Sequence, residues 1–330
     1  MAATFSVAMC TYNGARYVGE QLDSIARQTR PPDELVVCDD RSSDKTVQIV
    51  EQFAASAKFP VSLEVNSQNL GSTKNFEKAI EICEGDLIAL ADQDDVWVPS
   101  KLEIIEREFD AAPASGLVFT DAEVVDENLR PLGVRLWTAI GFSEEVRRKL
   151  RRDNALDLLL PGWTVTGATM AFRSRFRSIA LPIPDDLQMI HDGWIAAIIA
   201  SVADVSFIEQ PLMIYRQHEG QQIGALKNHP ADAHAGNVQG FWRQLRRADS
   251  YEHLIANGER IRSRLLERSD TFDVRAAIEG LDDRLHHMRV REQIPKQRLM
   301  RVPQVAGELF TGRYHRYSNG LYSAVKDLVV

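Results

Sequence analysis

The sequence predicts an α/β protein, with a mostly parallel central sheet flanked by helices and a helical C-terminal extension. Three observations carry this prediction. Short β-rich runs alternate with helical patterns over the first 126 residues. The runs that read as strands end repeatedly in polar clusters rich in Asp. From Gly240 onward the apolar spacing becomes helical. Strands alternating with helices mean βαβ crossovers, and crossovers make neighbouring strands parallel. A chain of 330 residues with 44% hydrophobic and 26% charged residues buries a sizeable core, which excludes disordered, collagenous and coiled-coil classes.

The elements follow in order. Phe5–Met9 reads as a strand, and Ala15–Gln28 as a helix with Val18, Leu22 and Ile25 at helical spacing. Leu35–Cys38 is a second strand and Asp44–Ala57 a second helix, through Val47, Ile49, Val50 and Phe53. Val61–Val65, Thr73–Cys83 and Leu87–Ala91 continue as strand, helix and strand. Pro99–Phe109 is a helix whose Ser100 and Glu103 have the spacing of a capping box. Gly116–Val125 is a further strand. Beyond it a basic helical segment, Val146–Leu160, precedes a strand at Thr164–Phe172 between Gly162 and Gly167. His191–Trp194 open a helix that continues through Ile195–Ser201, and Val205–Ile208 and Pro211–Tyr215 are two short strands. The C-terminal helices are expected to bury Leu245, Leu254, Ile255, Ile261, Leu265 and Leu266.

The net charge of −8 argues against nucleic acid as a partner. It divides unevenly: residues 1–240 hold 22 basic and 35 acidic side chains, and residues 241–330 hold 17 and 12. Cys10, Cys38 and Cys83 form no CxxC pair and read as buried thiols of a reducing compartment. The N-terminus shows no basic region followed by a long apolar one, and no apolar run approaches the roughly 20 residues that span a bilayer. A cytoplasmic protein is the expectation.

The chemistry lies where the strands end. Cys10-Thr11-Tyr12-Asn13-Gly14, Asp39-Asp40-Arg41-Ser42-Ser43-Asp44 and Asp92-Gln93-Asp94-Asp95 follow three different strands. Open parallel sheets bind ligands in the crevice outside the carboxyl ends of their strands, so these clusters should converge there. Adjacent carboxylates repel and raise one another's pKa unless a cation lies among them, and carboxylate oxygens select hard ions such as Mg²⁺ or Mn²⁺. The plainer alternative is a solvated acidic turn that caps the next helix.

Taken together, Thr11-Tyr12-Asn13, Val37-Cys38-Asp39-Asp40-Arg41-Ser42-Ser43-Asp44, Asn69-Leu70-Gly71 with Lys74-Asn75, and Asp92-Gln93-Asp94-Asp95-Val96-Trp97 resemble the family 2 glycosyltransferases. These are inverting enzymes of the GT-A fold that use nucleotide sugars. The resemblance covers about residues 4–220. His191-Asp192-Gly193-Trp194 and Tyr215-Arg216-Gln217-His218 look most like rhamnosyltransferase-like enzymes of bacterial surface-polysaccharide assembly.

The resemblance implies a donor-binding half at 1–126, an acceptor-binding half of the same domain at 127–230, and a basic helical extension at 231–330. Cys10, Thr11, Tyr12 and Asn13 would surround the nucleotide, although Cys10 and Arg41 depart from residues common in the family. Asp40 would accept from the imide N–H shared by uracil and thymine, which leaves UDP and dTDP both open as carriers. Lys74 would lie near the nucleotide, Asp92 near the ribose, and Arg216 at the diphosphate. Asp94 and His218 would hold Mn²⁺ or Mg²⁺. Asp95, Trp97, Thr166, Gly167, His191 and Trp194 would shape the sugar and acceptor pocket, with Trp194 able to stack on a sugar. Thr166-Gly167-Ala168-Thr169 also reads simply as a tight turn before a strand.

Inversion requires a carboxylate that takes the acceptor hydroxyl's proton. The resemblance gives that role to Asp192; the plainer alternative is a cap on a helix beginning at Gly193. The acceptor would be a saccharide or a lipid-linked saccharide. Within 284–326, nine cations (Arg284, Arg289, Arg291, Lys296, Arg298, Arg301, Arg313, Arg316 and Lys326) face two acids, Glu292 and Glu308. Interleaved with apolar residues, they suit peripheral contact with the inner face of the membrane, each contributing about 1 kcal/mol near an anionic surface. The plainer alternative is a helical subdomain that packs on the acidic body or on a second subunit of a homo-oligomer. The competing functions are a non-catalytic nucleotide-sugar-binding or scaffold protein of a polysaccharide assembly complex, and a nucleotidyltransferase. A scaffold would be expected to lose Asp94 or Asp192, and both are present. A nucleotidyltransferase needs a basic Gly-rich phosphate loop near the N-terminus, where Cys10–Gln21 offers only Arg16.

Overall fold

The first strand, β1 (Phe5–Thr11), is buried at all seven positions, as a central strand covered on both faces requires. The computed structural model describes residues 3–152, 154–187, 189–219, 221, 251–295 and 297–329. These fall into two units. One holds the described residues up to Asp185 and from Met189 to Gln221; the other holds Asp186, Leu187 and residue 251 onward.

In the first unit, α1 (Val18–Ala26), β2 (Glu34–Asp39), α2 (Thr46–Ala54), β3 (Val61–Val65), α3 (Ser72–Ile82) and β4 (Leu87–Asp92) follow β1. Then come β5 (Val96–Trp97), α4 (Lys101–Ala111), β6 (Ser115–Val125), β7 (Pro131–Arg135), α5 (Leu136–Ala139), α6 (Glu144–Arg152) and α7 (Ala155–Leu159). The unit ends with β8 (Met170–Arg173), α8 (Arg177–Ala180), α9 (His191–Ala200) and β9 (Asp204–Arg216). Among the described residues the sheet runs β3-β2-β1-β4-β8-β6-β9-β5, with β7 beside β6. Because β8 is antiparallel to both β4 and β6, it restores the direction, so β1, β2, β3, β4, β6 and β9 all point one way. The mostly parallel sheet expected from the sequence is present.

The topology also places the crevice. The chain builds β2 and β3 on one side of β1, then crosses back to lay β4 on the other. The switch between β1 and β4 opens a gap at their carboxyl ends. Register fixes what lies there, since Cys10 is level with Asp92 on β4, and Thr11 with Asp39 on β2.

Several local expectations are corrected. The two short strands after residue 204 are one, β9, whose pairing with β6 slips between Ile208 and Pro211. A bulge tolerates a proline that an uninterrupted central ladder does not. The strand expected from Thr164 begins only at Met170; Gly167–Thr169 form a 3₁₀ turn. Val146–Leu160 is divided between α6 and α7, and Asn154 caps α7 by accepting from the Leu156 N–H at 3.1 Å. Ser100 precedes α4 but its hydroxyl caps nothing, and Glu103 instead accepts from the Thr29 hydroxyl at 2.7 Å. Helix α9 begins at His191, so Asp192 lies in its first turn and Ile190 stands at the cap position.

The second unit is helical: α10 (Glu252–Glu267), α11 (Arg275–Glu292), α12 (Arg298–Phe310), α13 (Arg313–Tyr317) and α14 (Leu321–Val329). Ile261 and Leu265 are buried as expected, Leu254 and Ile255 are half-buried, and Leu266 is exposed. Leu245 lies outside the described residues, as does Lys296. No helix among the described residues is long and apolar enough to cross a membrane. The three cysteines are buried and unpaired.

Candidate functional site

A cavity of about 200 Å³ occupies the crevice at the switch point. One wall is made of strand ends. The Thr11 hydroxyl donates to Asp39 at 2.7 Å, tying β1 to β2. Asp40 accepts three hydrogen bonds: from the Leu70 N–H at 2.7 Å and the Asn66 amide at 3.0 Å on Oδ1, and from the Gly71 N–H at 2.9 Å on Oδ2. Four lone-pair sites on a carboxylate leave Oδ2 with capacity for one more donor. Gln93 accepts from the Tyr12 N–H at 2.8 Å and donates to the Tyr12 carbonyl at 3.0 Å, so the Tyr12 ring is held at the rim. Cys10, Thr11, Tyr12, Asp40, Asp92 and Asp94 all line the cavity.

The floor is crowded with carboxylates. Burial, then the charges of Asp94 and Asp192, push the Asp92 carboxyl up to about 7. Asp95 is driven well above the ordinary range by burial and by Asp94 and Asp92. The imidazole Nε2 of His218 lies 2.8 Å from Asp94 Oδ2. Beneath them Lys101 is fully buried, donating to the Ala168 carbonyl at 2.6 Å with its ammonium 4.0 Å from the Trp97 ring. Burial pulls its pKa down to about 7 against the charges of Asp95 and Asp92.

The opposite wall comes from the Gly167 turn and the start of α9, where Thr166, Gly167, His191 and Asp192 line the cavity. Asp192 accepts from the Gly167 N–H at 3.0 Å and the Gly193 N–H at 2.6 Å. Burial nonetheless raises its pKa to about 6, the two N–H groups opposing the rise. His191 is stacked on Phe76 with ring centroids 4.2 Å apart, and burial lowers its pKa to about 3, so it is neutral. The helix can approach this closely because Gly193 has no side chain: a Cβ there would lie 2.6 Å from the Gly162 carbonyl oxygen. Gly193→Ala is therefore expected to lower stability by about 1–3 kcal/mol in urea unfolding, since a backbone neighbour cannot swing aside.

Six expected site residues are placed outside the lining. Asn13 builds its own loop, accepting from the Ser43 N–H at 2.9 Å while its N–H donates to Ser42. Lys74 is turned away from the cavity, donating to the Ile183 carbonyl at 2.6 Å and pairing with Glu77 and Asp185. Trp97 is in the core, and so is Trp194, whose indole N–H donates to the Ala180 carbonyl at 2.8 Å. Asp95 accepts from the Arg216 N–H at 3.1 Å. Arg216 is buried beside it, donating to the main-chain carbonyls of Asp94 at 2.7 Å and Glu127 at 2.9 Å and pairing with Glu20. It braces the backbone that carries Asp94.

The lining also includes Asn75, Gln93 and Tyr215, which stand in the quoted motifs without an assigned role, and Ser72, Phe76 and Gln221, which no motif names. Ser72, Asn75 and Phe76 stand at i, i+3 and i+4 on α3, one helical face, and that spacing was readable. Among the described residues, no three carboxylate, imidazole or thiolate groups converge to hold a metal ion unaided.

Comparison with known proteins agrees with this fold. The glycosyl transferase family 2 signature matches residues 6–180. The dTDP-rhamnosyl transferase RfbG of Shigella flexneri is 28% identical over 228 residues, covering 66% of this chain and 74% of that protein. The crystal structure of Staphylococcus aureus TarS 1–349 with UDP-GlcNAc aligns with a TM-score of 0.57 at 18% identity, covering 98% and 88% of the two chains. The mannosyltransferase PcManGT from Pyrobaculum calidifontis, solved with GDP-Man and Mn²⁺, aligns with a TM-score of 0.51 at 19% identity, covering 100% and 87%. At those identities the structural likeness shows the fold, which is that of GT-A-type transferases.

Proposed function

The chain belongs to glycosyl transferase family 2 and is a glycosyltransferase, and on that premise we propose a metal-dependent, inverting transfer of a sugar from a UDP- or dTDP-sugar to a saccharide or lipid-linked saccharide in bacterial surface-polysaccharide assembly. The observation that carries the reading is Asp192, a buried carboxyl with a pKa of about 6 on the same cavity as Asp40, Asp92 and Asp94. Rhamnose is the sugar favoured by the likeness to RfbG, whose name gives a dTDP-rhamnosyl transferase. Peripheral attachment at the inner face of the membrane would bring the protein to a lipid-linked acceptor.

In this reading the remaining acceptor site on Asp40 takes the imide N–H of the base, and the Tyr12 ring covers the base at the rim. The carboxylate of Asp192 takes the proton of the acceptor hydroxyl as its oxygen bonds to the anomeric carbon and the bond to the diphosphate breaks. Gly167 and Gly193 aim that carboxylate, and neutral His191 forms the wall beside it. Asp94 and His218 suit a divalent cation: their donor atoms already converge, and the neighbouring acids are pushed up by burial and then by mutual repulsion, the second of which a cation relieves. Few protein ligands completed by substrate phosphates is the usual arrangement for Mg²⁺. Bound there, the ion would act as a Lewis acid toward the leaving diphosphate.

Isothermal titration with UDP and dTDP, with and without Mn²⁺, tests this. Metal-dependent binding is expected, weakened at least about tenfold in Asp94→Ala. A folded protein that binds neither nucleotide would favour the scaffold alternative.

A further inference from the structure

Helices α12 and α14 bury most of their charged side chains and expose much of their apolar surface, while Val305 and Ala324 pack inward on Tyr314. On α12, Leu299 is 88% exposed and Phe310 95%, with Met300 and Val302 also exposed, while Arg301 and Glu308 are buried. On α14, Leu321, Val325 and Val329 lie along one face at i, i+4 and i+8, all exposed, while Lys326 is buried. The inward charges are engaged within the unit. Arg291 holds Asp327 through two bonds of 2.6 and 2.9 Å, Arg301 donates to the carbonyls of Pro295 and Asp327, and Glu308 is bonded to His287 and Arg313. A helix facing only water has the opposite arrangement.

The charge that remains outside identifies the partner. From Gln297 to Val329 the only acids are Glu308 and Asp327, and both are paired inward. The exposed cations beside those apolar side chains are Arg298 at the start of α12 and Arg316 on the intervening α13, and neither carboxylate of 297–329 is left unpaired. Anionic lipid complements that face: apolar groups enter the headgroup boundary and cations stay among the phosphates. A second copy packed on the same face would bring those cations no opposing charge, since both carboxylates of 297–329 are already paired.

We propose that α12 and α14 form a docking face for an anionic lipid leaflet, with Leu299, Val302, Phe310, Leu321 and Val325 as the inserted side chains. The nine cations of 284–326 are not that face by themselves, since Arg284, Arg291, Arg301 and Lys326 are buried.

The test is co-sedimentation of the full chain with vesicles of phosphatidylcholine alone and of phosphatidylcholine mixed with phosphatidylglycerol. Phe310→Ser and the double variant Leu321→Ser/Val325→Ser are run alongside, and their unchanged thermal unfolding serves as the folding control. The wild type is expected to partition onto the anionic vesicles, and each variant to bind roughly tenfold more weakly. No partitioning of the wild type onto either vesicle, or equal partitioning of the variants, overturns the assignment. A wild-type dimer that Phe310→Ser converts to monomers, with no vesicle binding, also overturns it and gives the face to a second copy.

Discussion

Asp192→Asn is expected to lower kcat by roughly a thousandfold, the loss typical of removing a general base, while UDP and dTDP affinities change by less than about twofold. The wild-type kcat should rise with pH and level off above about 6, because the base acts only when deprotonated and burial sets its pKa near that value. The same shift has a stability consequence of definite sign. The native state holds this proton more tightly than the unfolded chain, whose pKa is near 3.8. The stability it contributes is present below 3.8 and lost as pH rises through about 6, leaving the ionised group at a cost of about 3 kcal/mol at neutral pH. Asn removes that cost but turns an amide N–H₂ toward one of the two N–H donors, a loss of about 1–3 kcal/mol. Urea unfolding should therefore show a net change within about 2 kcal/mol. A variant that loses turnover only by unfolding, or loses nucleotide binding in proportion, would remove Asp192 from the role of base.

Lys101→Met is expected to destabilise the protein by about 3–5 kcal/mol in urea unfolding, the cost of breaking a buried charge cluster by removing one sign. The ammonium faces Asp92 and Asp95 and satisfies the Ala168 carbonyl, inside the turn whose Gly167 N–H aims Asp192. Met fills the same volume but leaves the carbonyl unpaired and the acids uncompensated. Lys101→Arg, which keeps the charge in a wider group, should recover part of the loss. A change below about 1 kcal/mol in Lys101→Met would show that the acids are held neutral without it.

Much of the cavity was legible because parallel strands are written in runs. Leu87–Ala91 is almost wholly apolar and stops at Asp92, so the point where the strand leaves the core is visible in one dimension. The misplaced residues share a different property. Trp194 follows Asp192 by two positions on a helix, about 200° around the axis, so a helix that turns Asp192 to the cavity turns Trp194 to the core. Lys74 stands in the same relation to Ser72 and Phe76 on α3. Asp95 accepts from the Arg216 main-chain N–H across 121 residues of chain, and no local pattern announces that contact. Proximity to a motif fixes neighbourhood, whereas rotation about the element fixes the side that faces the ligand.

The cavity has two walls of separate origin. Strand ends clasped by Asp39, Asp40 and Gln93 form one; the Gly167 turn and the first turn of α9, seated on Gly162, form the other. On the proposed function, a duplicated gene can drift in the second wall and acquire a new sugar while inheriting its grip on the nucleotide. For the engineer the same division marks where a graft begins and ends: exchanging residues 162–194 between relatives replaces the second wall, while the bonds of the strand-end clasp lie wholly outside the exchanged residues.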